Sequence, residues 1–101
     1  MPVHLFIGGL VAAGFDPSGR FLLTVSHAGR GVFDTATWKR VAREPELAYP
    51  DHGHAVGIGP IAGMSIPVVE RYDTPNLEFV GPDGSLFYYE SGTLYVTPPD
   101  A

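Results

Sequence analysis

Cysteine is absent, which excludes a disulfide framework and any thiolate metal site. Charge is scarce: Asp, Glu, Lys and Arg make up 17% of the chain against 45% hydrophobic residues. That balance excludes disorder driven by low hydrophobicity and high charge. No apolar run has the length of a membrane span. The stretch from Leu5 to Ala13 is short and interrupted by Gly8 and Gly9, and Met1-Pro2-Val3-His4 lacks the basic segment of an export signal. The expectation is a cytoplasmic protein that does not engage membranes.

Basic residues are also few, six against eleven acids, and they are unevenly placed. Residues 1–43 hold five bases (Arg20, Arg30, Lys39, Arg40, Arg43) against two acids, whereas residues 44–101 hold only Arg71 against nine acids. Phosphate neutralisation supplies most non-specific nucleic-acid affinity, so this acidic chain is not expected to bind nucleic acid. A basic protein suits it better as a partner. The plain alternative is a charged surface that keeps the protein soluble.

What the chain does have is turn chemistry. Thirteen glycines and ten prolines are spread through 101 residues without a period, punctuating short apolar–polar alternations. This length allows one domain, residues 1–101, with one core. Strands are expected at Val3–Ile7, Val11–Phe15, Arg20–Ser26, Gly31–Asp34, Trp38–Arg43, Ala55–Ile58, Met64–Tyr72, Asn76–Val80, Ser85–Glu90 and Thr93–Thr97. Helix competes only over residues 35–47, where Thr35, Thr37, Trp38 and Val41 favour strand and Pro45 stops a helix early. Inward strand parity selects Phe15, Phe21, Leu23, Val25, Phe33, Trp38, Leu77, Phe79, Leu86 and Tyr88 as the core. Pro67 lacks an amide donor, which marks Met64–Tyr72 as an edge strand and the expected pairing edge for a homo-oligomer.

Two stretches are alike. Phe15-Asp16-Pro17-Ser18-Gly19-Arg20-Phe21-Leu22-Leu23 recurs as Val80-Gly81-Pro82-Asp83-Gly84-Ser85-Leu86-Phe87-Tyr88. In each, proline presets φ at the first corner, Ser or Asp bonds the local backbone, and glycine takes positive φ. A second turn follows in both, Ser26-His27-Ala28-Gly29 and the shorter Ser91-Gly92. The first stretch with Gly31-Val32-Phe33-Asp34-Thr35-Ala36-Thr37-Trp38 resembles one blade of a WD40 or YVTN-type β-propeller. Phe33-Asp34-Thr35 stands at the blade's tryptophan–aspartate step, and the second copy has Val96-Thr97-Pro98 there. The resemblance covers residues 11–43 and 76–97 and implies β-meander geometry. Two blades are too few to close a propeller, and the insertion Glu44–Pro75 breaks a clean repeat. The expected fold is therefore all-β, a small antiparallel meander or sandwich built from two blade-like hairpin units.

Chemistry-bearing clusters are thin. Asp51-His52-Gly53-His54 offers two imidazoles and a carboxylate in one turn-rich loop, with no distant ligand identifiable. Ser26 and His27 are adjacent, and neighbouring strand positions face opposite sides. The glycines of Gly57-Ile58-Gly59-Pro60 and Gly29-Arg30-Gly31 open no helix and precede no Gly-Lys-Ser/Thr ending. No catalytic residue, metal ligand or cofactor is assigned. The leading expectation is a non-enzymatic protein-binding β domain, in concrete form an immunity protein that masks the basic active site of a cognate toxin. Its expected contact residues are Glu70, Tyr72, Asp73, Glu78, Tyr89 and Glu90, carboxylates interleaved with tyrosines. The rivals are a self-assembling structural blade-pair module and a small metal-dependent hydrolase using the Asp51–His54 loop.

Overall fold

The structure, a computed structural model, describes residues 3–46, 48–71 and 76–99. Turn residues cut the described chain into eleven strands and one 3-10 turn. The strands are β1 (Val3–Phe6), β2 (Leu10–Phe15), β3 (Phe21–Ser26), β4 (Gly29–Asp34), β5 (Lys39–Glu44), β6 (His54–Val56), β7 (Ser65–Pro67), β8 (Val69–Glu70), β9 (Leu77–Val80), β10 (Leu86–Glu90) and β11 (Thr93–Thr97). The 3-10 turn, Gly59–Ile61, lies between β6 and β7. Every expected strand is present; Met64–Tyr72 is divided at Val68 into β7 and β8. Among the described residues no helix is long and apolar enough to cross a membrane.

The strands form three antiparallel sheets. The first has the order β1-β11-β10-β9, the second β5-β4-β3-β2-β8, and the third is the β6-β7 hairpin. The first two are each a three- or four-strand meander. The N-terminal strand completes the first from outside, with Val3 opposite Val96 and Phe6 opposite Thr93. The two Pro-x-Gly turns arrive at the same end of the sandwich. Gly19 and Gly84 both take positive φ, +75° and +90°, and a Cβ on Gly19 would stand 3.0 Å from Pro82 Cγ.

Three layers result. Leu5, Phe87, Tyr89, Leu94 and Val96 of the first sheet pack against Leu10, Ala13, Leu22 and Phe33 of the second. The opposite face of the second sheet, with Ala12, Leu23, Val25 and Val32, is covered by Ala55, Ile61 and Ile66. The second sheet is thus buried on both sides, which explains the unbroken run Leu22-Leu23-Thr24-Val25-Ser26, buried at every position. The insertion after β5 supplies the third layer.

The core differs from the expected set at defined places. Leu23, Val25, Phe33 and Leu77 are buried, and Phe15, Phe21, Trp38 and Phe79 are half-buried against the two clusters. On β10 the expected face is reversed: Phe87 and Tyr89 point inward, Leu86 is exposed and Tyr88 is only partly covered. Tyr89, expected at a partner surface, is a core residue 2% exposed. Its hydroxyl donates to the Ile7 carbonyl at 2.6 Å and accepts from the Leu10 amide at 3.1 Å, holding the β1–β2 crossing between the two sheets.

Pro67 behaves as its missing donor requires. It ends the β6-β7 pairing opposite His54, and its carbonyl lies so close to Gly14 that a Cβ there would clash. β8 then adds to the β2 edge, with Ala12 opposite Glu70. The segment lies at an edge in both of its sheets, as expected.

Candidate functional site

Sheet periodicity sends alternate side chains of β1, β11, β10 and β9 away from the core. The register aligns them into rows. His4, Tyr95, Tyr88 and Glu78 form one row across all four strands. Phe6, Thr93 and Glu90 form a second, and Thr97, Leu86 and Val80 a third. Nothing else in the described structure covers this face: Phe6 is 77% exposed, Val80 66%, Leu86 42% and Tyr95 36%.

The aromatic groups on the face are ordered by one another. The His4 ring meets Tyr95 edge-on at 4.9 Å, and Tyr95 stacks on Tyr88 at 6.5 Å. The Tyr88 hydroxyl donates to Glu90 Oε2 at 3.1 Å and accepts from Asn76 Nδ2 at 3.0 Å. Tyr88 is therefore flanked by Glu90, which it binds, and by Glu78, its cross-strand neighbour on β9. None of the four strands carries a lysine or arginine. Among the described residues neither carboxylate forms an ion pair; the only such pairs are Arg20–Asp34 and His52–Asp51.

The structure splits the expected contact set. Glu78 and Glu90 are exposed and adjacent to the same tyrosine. Glu70 lies on β8, in the other sheet, and is half-buried. Tyr89 is inside the protein, and its place on the surface belongs to Tyr88 and Tyr95. Tyr72 and Asp73 fall outside the described residues. Phe6, His4, Val80 and Leu86 were not foreseen. Their signal was available on β11, where Leu94 and Val96 alternate with Thr93, Tyr95 and Thr97 and so fix which parity faces out.

The other clusters have local roles. Asp51 and His54 close a hairpin by paired backbone bonds, and His52 and Gly53 at its tip both have positive φ. His52 Nδ1 lies 2.9 Å from Asp51 Oδ1, and both side chains are about nine-tenths exposed. Among the described residues no third carboxylate or imidazole joins them in a metal-binding group. Ser26 Oγ donates to the Gly29 carbonyl and accepts from the Ala28 amide, whereas the His27 ring contacts the Tyr49 hydroxyl at 3.4 Å. That serine therefore braces a turn. A cavity of about 440 Å³ lies where the two Pro-x-Gly turns meet, walled by Phe15, Trp38 and Phe87. Its carboxylate, Asp83, accepts hydrogen bonds from the Ser85 amide and hydroxyl, which hold it below the usual carboxylate range.

No known protein family, curated protein or solved structure matches the chain.

Proposed function

We propose that the chain is a non-enzymatic protein-binding β domain that receives a basic protein partner on the outer face of its β1-β11-β10-β9 sheet. One observation carries this reading: exposed Phe6, Val80, Leu86 and Tyr95 share a face with Glu78 and Glu90 and with no lysine or arginine. Apolar and aromatic side chains supply the desolvated contact area, and unpaired carboxylates steer a cationic partner onto it. The arrangement suits an immunity-type inhibitor, whose acidic face would mask the basic active site of a toxin inside the same cell.

The test is association kinetics with the native partner, measured over a range of salt. Reversing Glu78 and Glu90 to lysine should slow association by about tenfold or more and flatten its salt dependence, because steering acts on the on-rate. The thermal midpoint should stay near that of the parent, since exposed charges contribute little to stability. A partner whose binding ignores both the reversals and the ionic strength would reduce the carboxylates to a solubility device.

A second reading, self-assembly, draws on a specific feature. β9 is an edge of the first sheet and β5 an edge of the second, and an unpaired edge strand is a template for another chain. Sedimentation distinguishes the two readings: assembly that persists in Glu78→Lys/Glu90→Lys and scales with chain concentration favours edge pairing.

A further inference from the structure

A second recess adjoins that face at Phe6, carries the opposite charge, and does not depend on the reading above. It is a cavity of about 240 Å³ over the β3–β4–β5 edge, floored by Gly29 and Gly31, with Thr24, Ser26, Arg40 and Arg43 around it. A backbone irregularity builds it. On a regular strand Arg40 and Arg43, three apart, would face opposite sides. The β4–β5 register shifts between Val32 and Phe33, so Arg40 stands opposite Phe33 and Arg43 opposite Gly31. Phe33 and Gly31 are two apart and share a face, so the bulge turns both guanidinium-bearing residues to the same side.

That side is unusual in its charge. Among the described residues neither Arg40 nor Arg43 forms an ion pair, and no carboxylate lines the cavity. Arg40 lies over the Phe33 ring, its Cζ 5.7 Å from the centroid, and its Cδ would be 3.8 Å from a Cβ on Gly31. Arg30, also at the rim, sends its Nη1 to the Val56 carbonyl on the third layer. The Thr24 and Ser26 hydroxyls are fixed on the Gly31 and Gly29 carbonyls. Two exposed guanidinium groups turned to one side with no carboxylate beside them call for an anion, and two guanidinium groups match a dianion better than a monoanion.

The geometry points to a binding site for the phosphate monoester head of a small soluble molecule, clamped between Arg40 and Arg43 over the Gly31 floor. The cavity is smaller than the roughly 300–1,000 Å³ of sites that engulf drug-sized ligands, so it admits the head group and leaves the rest of the molecule outside. Thr24 and Ser26 line the floor side, and the Phe33 ring backs Arg40.

Backbone and arginine side-chain NMR titrations test the assignment, with inorganic phosphate, glycerol phosphate, acetate and a phosphoserine peptide as probes at equal ionic strength. Expected are saturable shifts at Gly29, Gly31, Arg40 and Arg43 with phosphate and glycerol phosphate, and about tenfold weaker binding of acetate. Arg40→Gln and Arg43→Gln should each weaken phosphate binding about tenfold, the loss of one charge-assisted contact. Gly31→Ala, which adds a Cβ at 3.2 Å from Thr24 Oγ1 and removes no charge, should weaken it similarly by filling the floor. Non-saturating shifts shared with Arg20 and Lys39, acetate binding as tight as phosphate, or an indifferent Gly31→Ala protein would each overturn the site. A phosphoserine peptide that binds more tightly than glycerol phosphate would overturn the small-molecule assignment.

Discussion

Three aspartates accept hydrogen bonds in turns, and each carboxyl is held below its usual value. Asp16 Oδ1 accepts the Phe21 amide at 3.0 Å, and its Oδ2 accepts the Ser18 hydroxyl at 2.7 Å and the Ser18 amide at 3.3 Å. Burial pushes the Asp16 carboxyl up, yet the hydrogen bonds from Ser18 and Phe21 together bring it below its usual value. The Ala36 amide and the Arg20 guanidinium lower Asp34, and Ser85 lowers Asp83. A carboxyl lowered in the folded state adds stability above its unfolded value, about 4, and loses it as the pH falls through the lower folded value. Asp16→Ala should therefore cost about 1–3 kcal/mol at neutral pH, by orphaning the Phe21 and Ser18 donors. Acid unfolding followed by circular dichroism should show a smaller loss of stability below pH about 4 in that variant than in the parent. At this scale the sequence was readable. Pro17-Ser18-Gly19 and Pro82-Asp83-Gly84 announce their turns because only certain residues tolerate those dihedrals, and Gly19 and Gly84 have the positive φ that the pattern demands.

Among elements, the β10–β11 hairpin shows how a local ambiguity could have been resolved. Leu86-Phe87-Tyr88-Tyr89 is apolar on both parities, so β10 taken alone does not choose a face. Its two-residue turn, Ser91-Gly92, with φ of 51° and 85°, sets Glu90 opposite Thr93 and hence Tyr89 opposite Leu94. Since Leu94 and Val96 are the apolar parity of β11, Tyr89 belongs inside. Leu86 and Tyr88 are expected inside only while β10 is read apart from β11. β3 differs: both of its parities are core, and the cause is a third layer folded from residues far along the chain. The bulge on β5 was equally invisible, because it depends on the pairing partner. Tyr89→Phe tests the inward assignment. It keeps the ring and strands the Leu10 amide, so stability measured by urea unfolding should fall by about 1–3 kcal/mol, whereas an exposed tyrosine would lose almost nothing.

Across the whole molecule, the charge asymmetry of the sequence becomes a spatial one. Glu78 and Glu90 occupy the outer face of one sheet, while Lys39, Arg40 and Arg43 lie on β5, the edge of the other. Which carboxylates share a face was not legible, since Glu70 and Glu78 are close in sequence yet belong to different sheets. The pairing of β1 with β11 has a further consequence. Val3 must find Val96, so during synthesis β1 stays without its strand partner until β11 has been made. Of the first sheet, β9, β10 and β11 can pair in order as they emerge, and only β1 must wait for a distant partner. Closure of the first sheet then waits for β11, and an all-β fold closed by so distant a strand pair is expected to form in about milliseconds to seconds rather than microseconds. Stopped-flow refolding gives that rate directly. A nascent chain stalled with residues 1–90 outside the exit tunnel should remain open to protease, and one stalled after β11 has emerged should be protected.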